Sequence, residues 1–302
     1  MILPLSGNLI PSTHSTENLP AMNDSATSIR DKQRDSWNQF ASGWEKWDAR
    51  TMGLLQPMGE AMLRSIDLKP DATVLDIASG TGEPGISIAK LLTRGRVTGT
   101  DLSEGMLQVA SKKAKAMGLE NFDTLVADAC QLPLDDDSFD LVTCRMGLMF
   151  VPDVDAATRE MTRVLKEGGS MTTTVWTVPQ NNLWVSLLMS IIKKHLDIPP
   201  PAPGDPGLFR FGDPSSLIKS MEDAGFTIVT NEIVNSEFDA ESKEDYWTMM
   251  TEVAAPVVSA LSAASDDTVL QIRQELFSVF DEKFGSGELR IPAEARLITA
   301  TA

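Results

Sequence analysis

The chain has 302 residues, 42% of them hydrophobic and 23% charged, an ordinary composition for a globular protein whose core is large enough to need no covalent staples. Forty-three acidic residues against 26 basic ones give a net charge of −17; this repels phosphate backbones and anionic membrane surfaces, arguing against nucleic acid as a partner while leaving neutral small molecules open. Two cysteines, Cys130 and Cys144, and two histidines, His14 and His195, are too scattered for a zinc motif, so no metal site is expected.

Residues 1–28 are polar and turn-rich and lack the basic start and apolar stretch of a secretory signal, so they read as a disordered tail. No run reaches the roughly 18 apolar residues that a membrane span requires. With unpaired cysteines, this points to a cytoplasmic protein. From Ser28 the pattern turns helical. Trp37, Phe40, Ala41, Trp44 and Trp47 recur at i, i+3, i+4 spacing and form one face, which either packs on the core or lines a pocket.

Strands and helices then alternate. Strands are expected at Ala72–Ile77, Arg96–Thr100, Phe122–Ala127, Phe139–Cys144 and Ser170–Trp176. Helices are expected at Pro84–Leu92, Glu104–Met117 with Ser103 as N-cap, and Asp155–Leu165 closed by Gly168 and Gly169. Repeated βα units of this kind build a doubly wound parallel sheet covered on both faces. Beyond Pro179 come an apolar helix over 182–196, a proline-rich loop, a helix over 214–225 and a strand at Thr227–Asn231. Two further helices over 240–284 and a last strand, Arg296–Thr301, complete the reading.

The most informative stretch is VLDIASGTGEPG, residues 74–85. A strand ends in Asp76, a glycine turn follows, and a helix begins. Glycines let backbone and ligand approach closely, and a helix start offers free N–H groups. Gly80-x-Gly82-x-x-Gly85 matches the dinucleotide fingerprint, and Asp101 lies about where a ribose-binding acid belongs. A nicotinamide-dependent oxidoreductase is therefore one reading. Against it stands Asp76, whose charge beside the turn suits a cationic ligand better than a pyrophosphate, and no Arg or Lys lies in the turn. A second acid, Asp128, follows the third strand and suits an adenine amino group.

Four ordered segments sharpen this: residues 74–85; GTDLSEGML, 99–107; VADACQLPLDDDSFDLVTCRMGLMFVPD, 126–153; and REMTRVLKEGGS, 159–170. In order and spacing the chain resembles the class I S-adenosylmethionine-dependent methyltransferases of the UbiE-like branch, over roughly residues 70–178. The closing segment GELRIPAEARLITATA resembles that family's last strand. The resemblance implies a Rossmann-like α/β fold: a doubly wound, seven-stranded, mostly parallel sheet with an antiparallel last strand, plus helical cap segments. It implies one methyltransferase domain over 29–302, with a cofactor-binding core at 70–178 and a cap drawn from 29–68, 180–212 and 240–290.

Carried over residue by residue, the resemblance places Gly80 and Gly82, with Ala78 at the usual first glycine, under the methionine part of S-adenosylmethionine. Asp76 would hold its ammonium group and Asp101 both ribose hydroxyls. Leu102 and Met106 would flank the adenine, Asp128 would accept from its amino group, and the Ala129 amide would donate to a ring nitrogen. Arg145 would lie near the methionine end or the acceptor. Methyl transfer from a sulfonium needs mainly an oriented acceptor and excluded water. His195, Tyr246 and Arg145 are the candidates for assisting it. The aromatic and Met-rich cap segments suggest a small lipophilic acceptor, quinone-, polyketide- or terpenoid-like, methylated on oxygen or carbon. A non-catalytic partner of the same fold, or a non-methyl use of the same cofactor such as a cyclisation, is the other outcome. A monomer or homodimer is expected.

Overall fold

The computed structural model describes residues 24–202, 204–285 and 287–302. The tail expected over 1–28 lies outside the described residues as far as residue 23, as does His14. From Asp24 the chain is already helical, so the expected boundary is too late. Helix α1 (Asp24–Lys46) and helix α2 (Asp48–Arg64) meet at Trp47, and α2 carries Pro57 inside it.

Seven strands follow, interleaved with helices: β1 (Thr73–Ile77), α3 (Gly85–Leu91), β2 (Arg96–Asp101), α4 (Glu104–Ala116), β3 (Phe122–Val126), β4 (Phe139–Arg145), α5 (Val154–Val164) and β5 (Leu165–Trp176). Then come α6 (Leu183–His195), α7 (Ser215–Asp223), β6 (Thr227–Ala240), α8 (Lys243–Val253), α9 (Ala255–Ser262), α10 (Asp266–Phe284) and β7 (Leu289–Thr301). The sheet order is β3-β2-β1-β4-β5-β7-β6, with β7 antiparallel to both neighbours and the other strands parallel to one another. This is the Rossmann-like α/β architecture expected from the sequence. The central strands β1 and β4 are almost fully buried, as strands covered on both faces must be.

The largest differences from the expected elements lie at the C-terminal end. Strand β6 runs to Ala240 rather than Asn231, and β7 begins at Leu289 rather than Arg296. Their pairing, from Thr227↔Thr301 to Ala240↔Leu289, carries both past residues of low strand propensity such as Asn231, Asn235 and Pro292. Pro292 is tolerated because β5 pairs with β7 only from Ala295 onward, leaving that edge of β7 without a ladder partner among the described residues. Residues 240–284 form three helices rather than two, since Pro256 stands in the first turn of α9 and separates it from α8.

Candidate functional site

Strand β1 is flanked by β2 on one side and β4 on the other, so the chain order reverses there. Open α/β sheets bind ligands in the crevice beyond the carboxyl ends of strands at such a reversal. Here the crevice leads into a cavity of about 560 Å³. Strand order sets its layout. Asp128 after β3, Asp101 at the end of β2 and the glycine turn after β1 line one part; Arg145 at the end of β4 comes next, followed by Trp176 on β5 and Phe238 on β6.

The glycine turn is held by its own backbone and by two acids. Ser79 N donates to Thr100 O at 2.9 Å, and Gly82 N to Ser79 O at 2.8 Å. Gly80 N donates to Asp101 Oδ2 at 3.0 Å, while Ser103 N donates to Oδ1 at 2.8 Å. Burial pushes the Asp101 carboxyl up from its ordinary pKa, and these amide bonds pull it back. Ala78 and Gly80 both adopt left-handed backbone, at φ 52° and 54°. A Cβ at Gly80 would meet no atom of the described residues within 4 Å and would project into open space among them.

Several expected cofactor residues line the cavity: Ala78, Gly80, Asp101, Leu102, Met106, Asp128, Ala129 and Arg145. Asp76 and Gly82 do not. Asp76 is fully buried and accepts from Ser79 Oγ at 2.8 Å, Gly85 N at 3.2 Å and Thr143 Oγ1 at 2.6 Å. Burial pushes its carboxyl up to about 6, against the pull of those hydroxyls and of Arg145. Its geometry is that of a carboxylate fastening the turn to β4. Gly82, at φ 106°, is required by packing, because a Cβ there would lie 2.5 Å from Ile86 Cδ1 and 3.1 Å from Ala110 Cβ.

Of the three candidates for assisting transfer, the structure brings only Arg145 to the cavity. Tyr246 is fully buried beneath it, its hydroxyl donating to Trp184 O at 2.6 Å and its ring edge-on to Phe238 and Phe280. Burial pushes its phenol far above the usual range, so it is a neutral structural donor here. His195 ends α6 on the outside of the fold, with Nε2 2.8 Å from Glu275 Oε2 on α10.

The aromatic face of α1 serves both expected purposes. Phe40 and Ala41 are buried, with Ala41 close against Gly105 of α4, whereas Trp37 and Trp44 line the cavity. Trp37 packs edge-on against both Trp44 and Phe150. Met146, Met149, Phe150, Trp176, Trp184 and Met249 line it as well. Phe209, Phe211 and Trp247 do not.

Some features of the site carry no sequence signal. Arg30 on α1 sits 3.5 Å from Asp128 Oδ2. Asn38 accepts from Ser103 Oγ at 2.8 Å and Gly105 N at 3.0 Å, tying α1 to the start of α4. Met52 and Leu55 of α2 and Phe238 of β6 also line the cavity. Two polar atoms of residues that line it, Thr100 Oγ1 and Trp44 Nε1, are themselves buried and have no hydrogen-bond partner among the described residues.

Residues 74–169 match the methyltransferase domain family. Over 110 residues the chain is 42% identical to the demethylmenaquinone methyltransferase of Bacillus cytotoxicus and 40% identical to that of Bacillus cereus; each alignment covers 36% of this chain and 46% of the relative. The chain thus spans about half the length of the curated relatives it matches. Two solved structures share the fold. A protein of Bacillus halodurans C-125, provisionally assigned as a methyltransferase, gives a TM-score of 0.54 at 22% identity, covering 80% of this chain and 97% of that one. The [4+2]-cyclase SpnF gives 0.51 at 22% identity, covering 81% of this chain and 80% of that one.

Proposed function

We propose that the chain, whose residues 74–169 match the methyltransferase domain family, is a class I S-adenosylmethionine-dependent methyltransferase of the UbiE-like type and transfers a methyl group to a small lipophilic acceptor, on oxygen or carbon. The observation that carries this reading is the pairing of the Gly80 turn with Asp101 at the wall of a large, mostly apolar cavity. The residues present fit the cofactor. Gly80 leaves open the space a Cβ would fill, and Thr100 Oγ1 is a buried hydroxyl without a partner among the described residues.

Asp101 would accept from the ribose hydroxyls while keeping its two amide bonds, since a carboxylate offers about four lone-pair sites. Leu102 and Met106 would flank the adenine, and the Ala129 amide would donate to it. Asp128 would accept from the adenine amino group, with Cys130 N already bonded to Oδ1 and Arg30 facing Oδ2. Ala78 and Gly80 would border the methionine part. Asp76 would act through the turn it fastens and through its negative charge, which favours a cationic ligand. Bound there, S-adenosylmethionine supplies a methyl group already activated by its sulfonium. What remains for the chain is to orient the acceptor and exclude water.

The part of the cavity beyond Arg145 serves that purpose. Leu55, Trp176, Trp184, Phe238, Met249 and Met250 make its wall apolar, which suits an aromatic or isoprenoid-like body. The demethylmenaquinone methyltransferase relatives act, by name, on a quinone, and that supports an acceptor of quinone type. Incubating the protein with methyl-labelled S-adenosylmethionine and a panel of phenols, reduced quinones and terpenoids tests the reading. Mass spectrometry is expected to find the label on an oxygen or carbon of a lipophilic acceptor. Transfer of the label to none of these acceptors would contradict the proposal.

A further inference from the structure

Arg145 is a cation in the cavity wall without an ion-pair partner among the described residues. Its Nη1 donates to Leu55 O at 3.2 Å, and its Nη2 lies 3.4 Å from the weakly accepting Met52 Sδ. The carboxylates that attract it through space, Glu83, Asp76 and Asp48, are all committed elsewhere. Glu83 accepts from Ser87 N, Asp76 from Ser79, Gly85 and Thr143, and Asp48 pairs with Lys113 at 2.7 Å. A guanidinium removed from water gains most from an anion that completes its charge and fills its remaining donors.

Resting on the methyl-transfer reading, we infer that Arg145 binds the acceptor as an oxyanion, so that the substrates are lipophilic molecules bearing an acidic hydroxyl: phenols, enols or hydroquinones. Neither His195 nor Tyr246 lines the cavity, and Arg145 replaces a general base by lowering the acidity threshold of the bound hydroxyl. The hydroxyl proton leaves to water. An electron pair of the oxyanion, or of the ring carbon it activates, then forms the new bond to the methyl carbon. The carbon–sulfur bond breaks with its pair remaining on sulfur, and the sulfonium becomes a neutral thioether. After carbon attack, the ring C–H proton is lost and the ring or enol is restored. An unfunctionalised terpene hydrocarbon has nothing to offer Arg145 and is excluded as a substrate.

The test uses the full chain saturated with S-adenosylhomocysteine and two probes with the same rings, 2-naphthol and 2-methylnaphthalene. Naphthol is expected to bind as the anion at pH 7, read from its naphtholate absorption band, although free naphthol is neutral there. Arg145→Gln is expected to raise the ionisation midpoint of bound naphthol by about 3 pH units, the upper end of the effect of an opposite charge at close range. Arg145→Lys should recover part of that shift, and methylnaphthalene binding should stay within about twofold throughout, because the Arg–oxyanion bond is absent for it. Naphthol that fails to bind, or binds neutral to the wild-type protein, overturns the inference whether or not the variants fold. So does an Arg145→Gln variant that weakens both probes equally. The remaining oxyanion that could occupy Arg145 is the cofactor carboxylate. If so, Arg145→Gln would weaken S-adenosylhomocysteine, spare the carboxylate-free methylthioadenosine and leave naphthol ionisation unmoved, which also overturns the inference. Failure of the wild-type chain to bind S-adenosylhomocysteine would remove the methyl-transfer reading itself; intact cofactor binding with neutral naphthol removes only the role of Arg145.

Discussion

The Gly80 amide donates to Asp101 Oδ2 across 3.0 Å, so the turn after β1 and the last residue of β2 form one unit. Asp101 fixes the turn with one oxygen and the first bend toward α4 with the other, through Ser103 N. Asp101→Ala removes both amide bonds and the proposed ribose acceptor. Calorimetry is expected to show S-adenosylhomocysteine affinity falling by about 30-fold or more, the scale of lost hydrogen bonds to a charged group. Unchanged affinity would displace Asp101 from the ribose.

The two glycines of the turn separate binding from stability. Gly80→Ala places a Cβ in open space at φ 54° and should cost about 1–2 kcal/mol of folding stability. The same Cβ intrudes where the cofactor is proposed to lie, so cofactor affinity should suffer more than stability does. Gly82→Ala brings a Cβ within 2.5 Å of Ile86 Cδ1 at φ 106° and should cost about 2–4 kcal/mol. Denaturant unfolding and cofactor titration on both variants check the contrast.

Asp76 predicts a pH dependence of stability. Its carboxyl holds a proton to about pH 6 in the folded state, against an ordinary value of 3.8. The folded state therefore binds more protons than the unfolded chain between these values. This contribution to stability is fully present below 3.8 and is lost as pH rises through about 6. A shift of this size corresponds to something on the order of 3 kcal/mol. Asp76→Asn can still accept from Ser79 and Gly85 and donate to Thr143, so the difference between wild type and variant isolates the carboxyl. Unfolding free energies from pH 4 to pH 7 should fall more steeply for wild type than for the variant.

Much of the proposed cofactor end of the site is legible in the sequence because its signals are local. The turn, Asp101 and Asp128 each lie at or just beyond the end of a strand, and chain connectivity alone carries them to one edge of the sheet. The acceptor end is less legible. Period 3.6 identifies the apolar face of α2, yet nothing in it says that Met52 and Leu55 face a cavity while Met58 and Met62 face the core. Tyr246 and His195 attract notice as rare residue types, but their surroundings are set by distant partners, Trp184 and Glu275. Phe238 escapes because the strand propensity of β6 fades after Val234, and only its pairing with β7 extends it.

Those two placements carry their own expectation. Tyr246→Phe loses one buried hydrogen bond and should lower stability by about 1 kcal/mol. With the cavity wall intact, turnover at saturating substrate should remain within about threefold of wild type, because no transition-state contact is removed. His195→Ala should behave likewise. A loss of turnover in either variant without loss of stability would return that residue to the chemistry.

The central claim is that the turn after β1 serves S-adenosylmethionine rather than a nicotinamide dinucleotide, whose fingerprint its three glycines also satisfy. Calorimetric titration of the full chain with S-adenosylmethionine and, separately, with NADH tests this most directly. The account predicts saturable binding of S-adenosylmethionine, weakened by Asp101→Ala, and no binding of NADH. Binding of NADH with none of S-adenosylmethionine would contradict it.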